Sequence, residues 1–181
     1  MDLVDRLAAT SFLGREFLTW LWYRSDLQEG LFQIGDGVTI EVFLTDRISL
    51  AGAGQGADKV SVKAEDPTLT AEAHVALEQA KKVEKACIRI TSGQREWTTT
   101  VAGDSLALSG IKIPALLTRE EDEKLSERLA LIDELDTMVT ALFRSFVDIR
   151  LDTEAWMAEC GAMQSWVMTP KVAAPAEPEP G

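Results

Sequence analysis

Apolar and polar residues in the middle of the chain alternate in a pattern that predicts a strand, a helix and three further strands. Every second position is apolar over residues 59–64, the period of a half-buried strand, and again over residues 86–91. Between these runs, Ala73 and Leu77 recur at helical spacing. The predicted elements are strands at 59–64, 86–91, 96–102 and 106–113, and a helix that Thr68 or Thr70 can cap and that continues to Val83, with Lys81 and Lys82 in its last turn.

The residues before this region predict a helix and a hairpin. Ser11 can cap a helix that continues to about Arg24, after a separate helical turn at residues 2–9. Its many aromatic side chains leave little polar surface, so we expect a core helix or a protein interface rather than a surface helix. The remaining predictions are a loop at 30–37 and strands at 38–44 and 47–51, joined by a turn at Thr45 and Asp46.

Two helices are predicted in the last third of the chain. Thr118 can cap a long helix over residues 119–147, whose apolar positions recur at threes and fours and whose first turns are acidic. Asp152 or Thr153 can start another helix that ends near Met168. The long helix is long enough to brace a sheet or to pair with a second subunit.

The elements and the composition together indicate one domain. The 181 residues, 46% of them hydrophobic, are enough to bury one sizeable core. We therefore expect residues 1–169 to form a single α+β domain, with helices, including one long C-terminal helix, packed against a mostly antiparallel sheet. The Pro, Ala and Glu content of residues 170–181 is typical of a disordered tail.

Charge is distributed unevenly along the chain. The formal net charge is −12 and the pI is about 4.5, values that favour solubility and repel nucleic acid at long range. Residues 59–112, however, contain 8 basic and 7 acidic residues, and within them residues 81–95 carry five cations against only Glu84. This segment predicts a basic patch that can follow a phosphate backbone. The same cluster also fits an ordinary solvated surface.

Little in the sequence predicts an enzyme. Residues 52–56 are rich in glycine, but their spacing is GxGxG and a strand follows, whereas a dinucleotide site needs a helix there. His74, the only histidine, has no recognisable nucleophile motif to activate. Glu120, Glu123 and Glu127 share a helix face that could hold Mg²⁺, but acids at a helix start are more often partners of the helix dipole. We therefore expect no catalytic residue, metal, cofactor or small-molecule substrate.

The cysteines and the apolar runs indicate a cellular compartment. Cys87 and Cys160 lie far apart and lack metal-ligand spacing, so we expect buried, reduced thiols. No apolar run approaches the ~18 to 20 residues of a membrane span, and the N-terminus lacks the cations of a secretory signal. These features predict a cytoplasmic protein without a membrane partner.

Six segments of the chain resemble segments of a known family, above all in their order. They are FLGREFLTWLWYRSD at 12–26, EQAKKVEKA at 78–86, the strand around Trp97, GDSL at 103–106, IKIP at 111–114 and FRSFVDIRLDTEAWMAECGAMQSWV at 143–167. Over roughly residues 12–167 the chain resembles the C-terminal half of the recombination-associated protein RdgC family. Ala80 stands where that pattern leads us to expect a glycine.

The resemblance implies sequence-nonspecific binding of double-stranded DNA by a ring-shaped dimer that restrains RecA-driven strand exchange, without catalysis, and hence association with the nucleoid. Family members have an additional N-terminal half that helps to close the ring and is not part of this sequence, so the resemblance does not imply that this chain alone encircles DNA. The family-like segments contain Lys81, Lys85 and Lys112, and the charge pattern adds Lys63, Lys82, Arg89 and Arg95 as candidate DNA-binding residues.

Two hypotheses from different functional classes follow. The first is a double-stranded DNA-binding protein that modulates homologous recombination; the order of the family-like segments favours it. The second is an acidic, non-enzymatic interaction module that uses its long helix and its aromatic N-terminal helix to form a homodimer or to hold a protein partner. The net charge of −12 favours the second hypothesis.

Overall fold

The computed structural model describes residues 3–35, 37–53 and 58–169, except for the side chains of residues 3–11. The helices are α1 (Leu3–Leu27), α2 (Ala71–Glu78), α3 (Glu121–Leu151) and α4 (Thr153–Met168), and a single 3₁₀ turn at Pro67–Leu69 precedes α2. The strands are β1 (Leu31–Ile34), β2 (Val38–Ala51), β3 (Lys59–Lys63), β4 (Lys82–Ser92), β5 (Arg95–Ala102) and β6 (Leu108–Lys112). The predicted α+β fold with a long C-terminal helix is confirmed.

The six strands form one sheet in which every described pairing is antiparallel. The order is β1-β2-β4-β5-β6, and β3 also pairs with β2. Glu41 of β2 lies between residues of β1 and β4, whereas Ile48 lies between residues of β3 and β4. Strands β1 and β3 therefore pair with the same edge of β2, β1 with its first part and β3 with its last part. Strand β4 pairs with the opposite edge of β2.

The predicted hairpin over residues 38–51 is wrong, because β2 runs continuously through it. Asp46 adopts a left-handed φ of 58°, and the register against β4 shifts between Thr45 and Ile48. The residues that resemble a turn therefore form a β-bulge, which pairing on both edges of β2 keeps in the sheet. The predicted loop at 30–37 is also partly wrong, since it contains β1.

The helices pack on one face of the sheet, which we call the covered face. Ile88 and Ile90 of β4 point to this face and are at most 1% exposed. The indole Nε1–H of Trp97 in β5 donates a hydrogen bond of 2.9 Å to the carbonyl of Leu131 in α3. The hydroxyl of Thr19 in α1 accepts one of 2.9 Å from the backbone of β4. The hydrophobic core therefore lies between the covered face and the helices.

Helix α1 is a core helix, which was one of the two alternatives that the sequence left open. It begins earlier than predicted. It passes through Ser11 without the expected break. Phe17, Trp20 and Trp22 are at most 3% exposed. The rings of Phe17 and Phe143 of α3 pack edge to face with their centroids 5.3 Å apart. Aromatic contacts with the other helices therefore stabilise α1 between the sheet and α3.

Helix α2 is shorter than predicted. The backbone N–H of Lys81 donates to the carbonyl of Ala76 at 3.0 Å, and that of Ala80 donates to Leu77 at 2.9 Å, the two bonds of a Schellman motif. Ala80 supplies the left-handed conformation that this motif needs, with φ of 59°. Because Lys82 then begins β4, neither Lys81 nor Lys82 lies in the last turn of a helix, and this part of the prediction is wrong.

Helix α3 has 31 residues, a length of about 46 Å at ~1.5 Å per residue. Its N-cap is Glu120 rather than Thr118, whose hydroxyl instead accepts a hydrogen bond of 3.3 Å from the Glu120 N–H. Asp152 ends α3, and its side chain caps α4 by accepting two hydrogen bonds of 3.0 Å from backbone N–H groups. The predicted start of another helix at this residue is therefore confirmed. The tail predicted for residues 170–181 lies outside the described residues.

Candidate nucleic-acid interface

The sheet has a second face, on the side away from α1 and α3. Side chains alternate along a strand, so the residues between the buried positions of each strand point to this side. These residues are exposed or half-buried. We call this surface the open face and define it by Glu41, Phe43, Thr45, Arg47 and Ser49 of β2, Lys59, Ser61 and Lys63 of β3, Lys85, Cys87, Arg89 and Thr91 of β4, Glu96, Thr98 and Thr100 of β5, and Lys112 of β6.

The strand register aligns these side chains in rows across the sheet, because residues directly opposite each other in a ladder share a face. The first row contains Phe43, Arg89, Thr98 and Lys112; the second contains Thr45, Cys87 and Thr100; the third contains Ser61, Ser49 and Lys85. A fourth row contains Glu41, Thr91 and Glu96. The open face therefore carries cations, hydroxyl groups and two carboxylates.

Four of the seven candidate cations lie on the open face: Lys63, Lys85, Arg89 and Lys112. All four are exposed, and Lys63, Lys85 and Lys112 form no ion pair with a described residue. Arg89 lies 4.0 Å from the carboxylate of Glu96 and 5.7 Å from the ring centroid of Phe43. Neighbouring strands are about 4.8 Å apart, so these cations spread over roughly 20 Å of the sheet.

Arg47 is a cation of the open face that the sequence analysis did not single out. Arg47 is exposed and lies directly opposite Lys63 in the ladder between β2 and β3. Neither side chain forms an ion pair with any described residue. Like charges in this arrangement repel each other, and an anion between them would remove the repulsion. The pair is therefore a candidate phosphate-binding position. The sequence contained an indication of this pair, because Arg47 and Lys63 both occupy polar positions of predicted strands.

The other three candidate cations form ion pairs with carboxylates of other segments. Lys81 is 7% exposed, and its Nζ lies 2.8 Å from the carboxylate of Asp58. The Nζ of Lys82 lies 2.9 Å from Glu16 of α1. The guanidinium of Arg95 donates two hydrogen bonds of 2.6 Å to the carboxylate of Glu134 in α3. These cations join elements of the structure, and none of them is placed on the open face.

Hydroxyl groups fill the spaces between the exposed cations. Thr98 and Thr100 follow each other along the open face of β5, and the hydroxyls of Ser49 and Ser61 lie 2.6 Å apart across β2 and β3. Serine and threonine hydroxyls donate hydrogen bonds to phosphate oxygens. Because these side chains are short, the surface between the longer lysine and arginine side chains is shallow.

The thiol of Cys87 adds no negative charge to this surface at neutral pH. Burial raises the pKa of the thiol above its ordinary value, and the nearby charge of Asp46 raises it further. The sulfur lies 3.8 Å from an Asp46 carboxylate oxygen and 3.9 Å from the Thr45 hydroxyl. Cys87 is therefore a neutral, half-buried thiol in the middle of the open face.

Part of the acidity that gives the chain its net charge lies on the other side of the sheet. Helix α3 carries 8 acidic and 4 basic residues and packs on the covered face. The open face thus differs in electrostatic character from the molecule as a whole. The sheet separates a phosphate backbone at the open face from the acidic helix, and the carboxylates that lie on or beside this face are those of Glu41, Asp46 and Glu96.

The structure also shows where the residues of the alternative chemical sites lie. The ring of His74 lies 5.6 Å from the ring of Trp22. Glu127 accepts hydrogen bonds from the backbone N–H groups of Leu117 and Thr118, at 2.7 and 3.0 Å, and these bonds lower the pKa of its carboxyl. In the described part of the chain, no three or more His, Cys, Asp or Glu side chains are grouped so that they could hold a metal ion.

Comparison with known proteins does not identify a family for this chain. No protein-family model matches the chain, and no curated protein matches it significantly. None of the helices in the described ranges is both long and apolar enough to cross a membrane. The resemblance to RdgC therefore stays a prediction, and the geometry of the open face is the strongest indication of function.

Proposed function

We propose that the protein binds double-stranded DNA without sequence preference, through phosphate contacts at the open face. The observation that carries this proposal is a set of exposed cations on one side of a sheet that no described carboxylate pairs with, above all Arg47 opposite Lys63. Lys85 and Lys112 extend the set across the sheet. DNA carries one negative charge per ~1.7 Å of its axis, and neutralising several of these charges releases bound counterions, which drives association.

The shape of the open face favours backbone contacts over the recognition of bases. Sequence is read mainly by side chains on an element that enters a groove, such as a helix in the major groove, which is about 12 Å wide. Among the described residues, the open face presents strand residues with short hydroxyl side chains and a few long cations. Such a surface contacts phosphates and sugars, which are alike at every base pair.

The proposed cellular role is restraint of RecA-driven strand exchange in homologous recombination. The resemblance to RdgC supports this role. A protein that covers the phosphate backbone of a duplex competes with any process that must open or exchange its strands. Association with the nucleoid follows from the same binding.

The proposal is tested by the fluorescence anisotropy of a labelled duplex of arbitrary sequence, titrated with the protein at several salt concentrations. If four phosphates are neutralised, log K falls by about 3.6 for each log unit of salt. The variant Lys85→Glu/Lys112→Glu is expected to bind at least about tenfold more weakly, with a slope smaller by about 2. A duplex of scrambled sequence should bind with the same affinity.

The matched control is Arg119→Glu/Arg144→Glu, which makes the same change in net charge on exposed positions directly before α3 and within it. This variant should retain most of the affinity, because its cations lie away from the open face. The DNA-binding proposal is wrong if the protein does not bind the duplex at low salt, or if the control loses as much affinity as the open-face variant. A strand-exchange assay with RecA then tests the cellular role.

A second candidate function, homodimerisation, is favoured by an apolar groove between α3 and β6. Leu129 and Ile132 of α3 are 58% and 38% exposed, and they line the groove together with Leu108 of β6. An antiparallel pairing of two α3 helices, centred between Leu129 and Ile132, brings Arg128 of each copy near Asp133 of the other. Apolar contact and charge complementarity would then both stabilise the dimer.

Dimerisation is tested by light scattering across a range of protein concentrations. The proposal predicts a dimer that Leu129→Lys converts to a monomer. Met157→Lys is the control, because Met157 is an exposed apolar residue of α4 outside the groove. A wild-type protein that is monomeric at every concentration contradicts this second candidate and leaves DNA binding unaffected.

A further inference from the structure

A pocket of about 350 Å³ lies at one end of the open face, next to a β-bulge. The partner of Ser49 in β4 is Lys85 and that of Leu50 is Val83, so Glu84 is an extra residue of β4. A bulge of this kind bends the strand and redirects its side chains. As a result the neighbours Glu84 and Lys85 both line the pocket, although side chains normally alternate along a strand.

Two hydroxyl groups lie between two lysines in this pocket. Ser49 and Ser61 are opposite each other in the ladder between β2 and β3, and their hydroxyl oxygens are 2.6 Å apart. One hydroxyl donates to the other, so one hydrogen is left for a further acceptor, which no described residue supplies. Lys85 lies opposite Ser49 in β4, and Lys59 is two residues before Ser61 along β3. The pocket therefore presents a hydroxyl donor together with two exposed ammonium groups.

The cations at the pocket exceed its carboxylates once the neighbouring Arg15 is counted. Arg15 and Lys59 both contact the carboxylate of Glu84, at 3.0 and 2.9 Å. Lys85 has no ion-pair partner among the described residues, and Asp104 is the other acid of the lining. Three cations against two carboxylates leave a formal charge of +1. An ammonium group has three N–H donors, so Lys59 keeps at least one for an anionic ligand while it contacts Glu84.

A terminal phosphate fits this pocket better than a phosphate inside a DNA strand. A phosphate monoester carries a charge of about −1.5 to −2 at neutral pH and three oxygens that accept hydrogen bonds, whereas an internal phosphodiester carries a single charge. The internal group is bonded to sugars on both sides, so it follows the surface of the sheet. The terminal group is bonded on one side only, and its three free oxygens can enter the pocket.

We propose that the pocket binds a terminal phosphate of a DNA strand, with Lys59, Lys85 and the hydroxyls of Ser49 and Ser61 as donors. This inference rests on the proposed DNA binding and names a substrate class for it, duplexes with phosphorylated ends. Ser49, Ser61 and Lys85 belong both to the pocket and to the open face. A strand whose internal phosphates follow the open face can therefore end in the pocket.

The test compares two short duplexes of the same sequence, with 5′-phosphate or 5′-hydroxyl ends and the same internal fluorescein, by anisotropy at low salt. The full chain should bind the phosphorylated duplex about fivefold more tightly, since each exposed charge pair contributes modestly. Lys59→Ala should remove this difference. The matched control Lys63→Ala removes the same charge from the same strand outside the pocket. It should weaken the binding of both duplexes and leave their ratio unchanged.

Thymidine 5′-monophosphate carries the same phosphate group without a duplex. It should displace the phosphorylated duplex only at a concentration at least about a hundredfold higher, because it makes no other contact along the open face. Displacement at comparable concentrations would assign the pocket to a free nucleotide and overturn the inference.

The inference is also overturned if wild type binds the two duplexes equally, if Lys59→Ala keeps the ratio, or if Lys63→Ala loses it. In these three cases the duplexes still bind, so the DNA-binding proposal stands. If neither duplex binds at low salt, both proposals are wrong.

Discussion

The Nζ of Lys81 lies 2.8 Å from the carboxylate of Asp58, although the Lys81 side chain is 7% exposed and that of Asp58 is 84% exposed. The hydrogen bond from Lys81 and its charge lower the pKa of the Asp58 carboxyl. This contact joins the turn after α2 to the residue before β3. A lysine that the sequence presents as part of a basic patch is therefore a structural residue, and the open-face cations are the better candidates for DNA contact.

The first prediction separates these two kinds of lysine. Lys81→Glu should lower the free energy of unfolding by about 3 kcal/mol, because it places a carboxylate in a buried position opposite Asp58. Lys85→Glu should change it by less than about 0.5 kcal/mol, since Lys85 is exposed and has no ion-pair partner among the described residues. Urea denaturation of both variants measures the difference. Equal losses of stability would contradict the structural role of Lys81.

The second prediction concerns the left-handed residue Ala80. Its φ of 59° is unfavourable for any side chain with a Cβ and is tolerated by glycine. Ala80→Gly should therefore stabilise the protein by about 0.5 to 1 kcal/mol after the greater freedom of glycine in the unfolded chain is subtracted. Ala158→Gly in the exposed part of α4 is the control and should destabilise by about 1 kcal/mol. Thermal denaturation should thus show shifts of opposite sign.

The third prediction concerns Glu159, a buried acid in α4. Its carboxylate accepts hydrogen bonds from the Trp20 indole at 2.7 Å and from the Arg24 guanidinium at 2.5 and 2.9 Å. Glu159→Gln leaves Arg24 without its counter-charge and should destabilise the fold by about 2 kcal/mol. Glu154→Gln, at an exposed position of the same helix, should have little effect. Chemical denaturation distinguishes them, and equal stability of the two variants would contradict the structural role of Glu159.

The fourth prediction uses the two cysteines to locate bound DNA. Cys87 lies between Lys85 and Arg89 on the open face, whereas Cys160 lies in α4 beside a separate cleft. Saturating duplex DNA should slow the alkylation of Cys87 by a maleimide at least about fivefold and leave Cys160 unchanged. Mass spectrometry of the labelled peptides measures both sites in one sample. Equal protection, or none at Cys87, would place the DNA elsewhere. Burial raises the pKa of both thiols, so both rates should keep rising above the ordinary thiol pKa of ~8.5.

The fifth prediction concerns stability in acid. The backbone N–H groups of Leu117 and Thr118 hold the pKa of Glu127 below its ordinary value in the folded state. A carboxyl with a lowered folded-state pKa stabilises the fold above its unfolded value of about 4.3, and this contribution disappears as the pH falls through the folded value. The stability difference between wild type and Glu127→Gln should therefore be largest near neutral pH and shrink below about pH 4. A difference that grows in acid would contradict this assignment.

Local patterns predicted the elements that depend on neighbours in the sequence. The alternation at Ile88 and Ile90 predicted β4, and the threes and fours from Leu135 to Phe146 predicted α3, because one face of each element must be buried whatever packs against it. The boundaries at Asp152 and Thr70 also depend on nearby backbone groups that these side chains cap. The aromatic residues of α1 similarly predicted a core position.

The errors occurred where distant residues decide the local conformation. Thr45 and Asp46 have the composition of a turn, but pairing with β4 on one edge and β3 on the other keeps them in a strand as a bulge. The predicted helix extended to Val83 because apolar spacing cannot show that Val83 pairs with Leu50 in the sheet. In both cases the hydrogen bonds of a complete sheet outweighed a local preference.

The amino-acid sequence by itself determined the fold class, the long C-terminal helix and the number of available cations, since these depend on composition and short-range periodicity. The tertiary structure decided which cations remain without an ion pair among the described residues. Lys81, Lys82 and Arg95 each lie within reach of a carboxylate from a distant segment, at Asp58, Glu16 and Glu134. Lys63, Lys85 and Lys112 reach no such partner among the described residues and share one face with Arg47. Charge pairing acts through space, so only the folded arrangement of the strands and helices separates structural cations from those that can meet a phosphate.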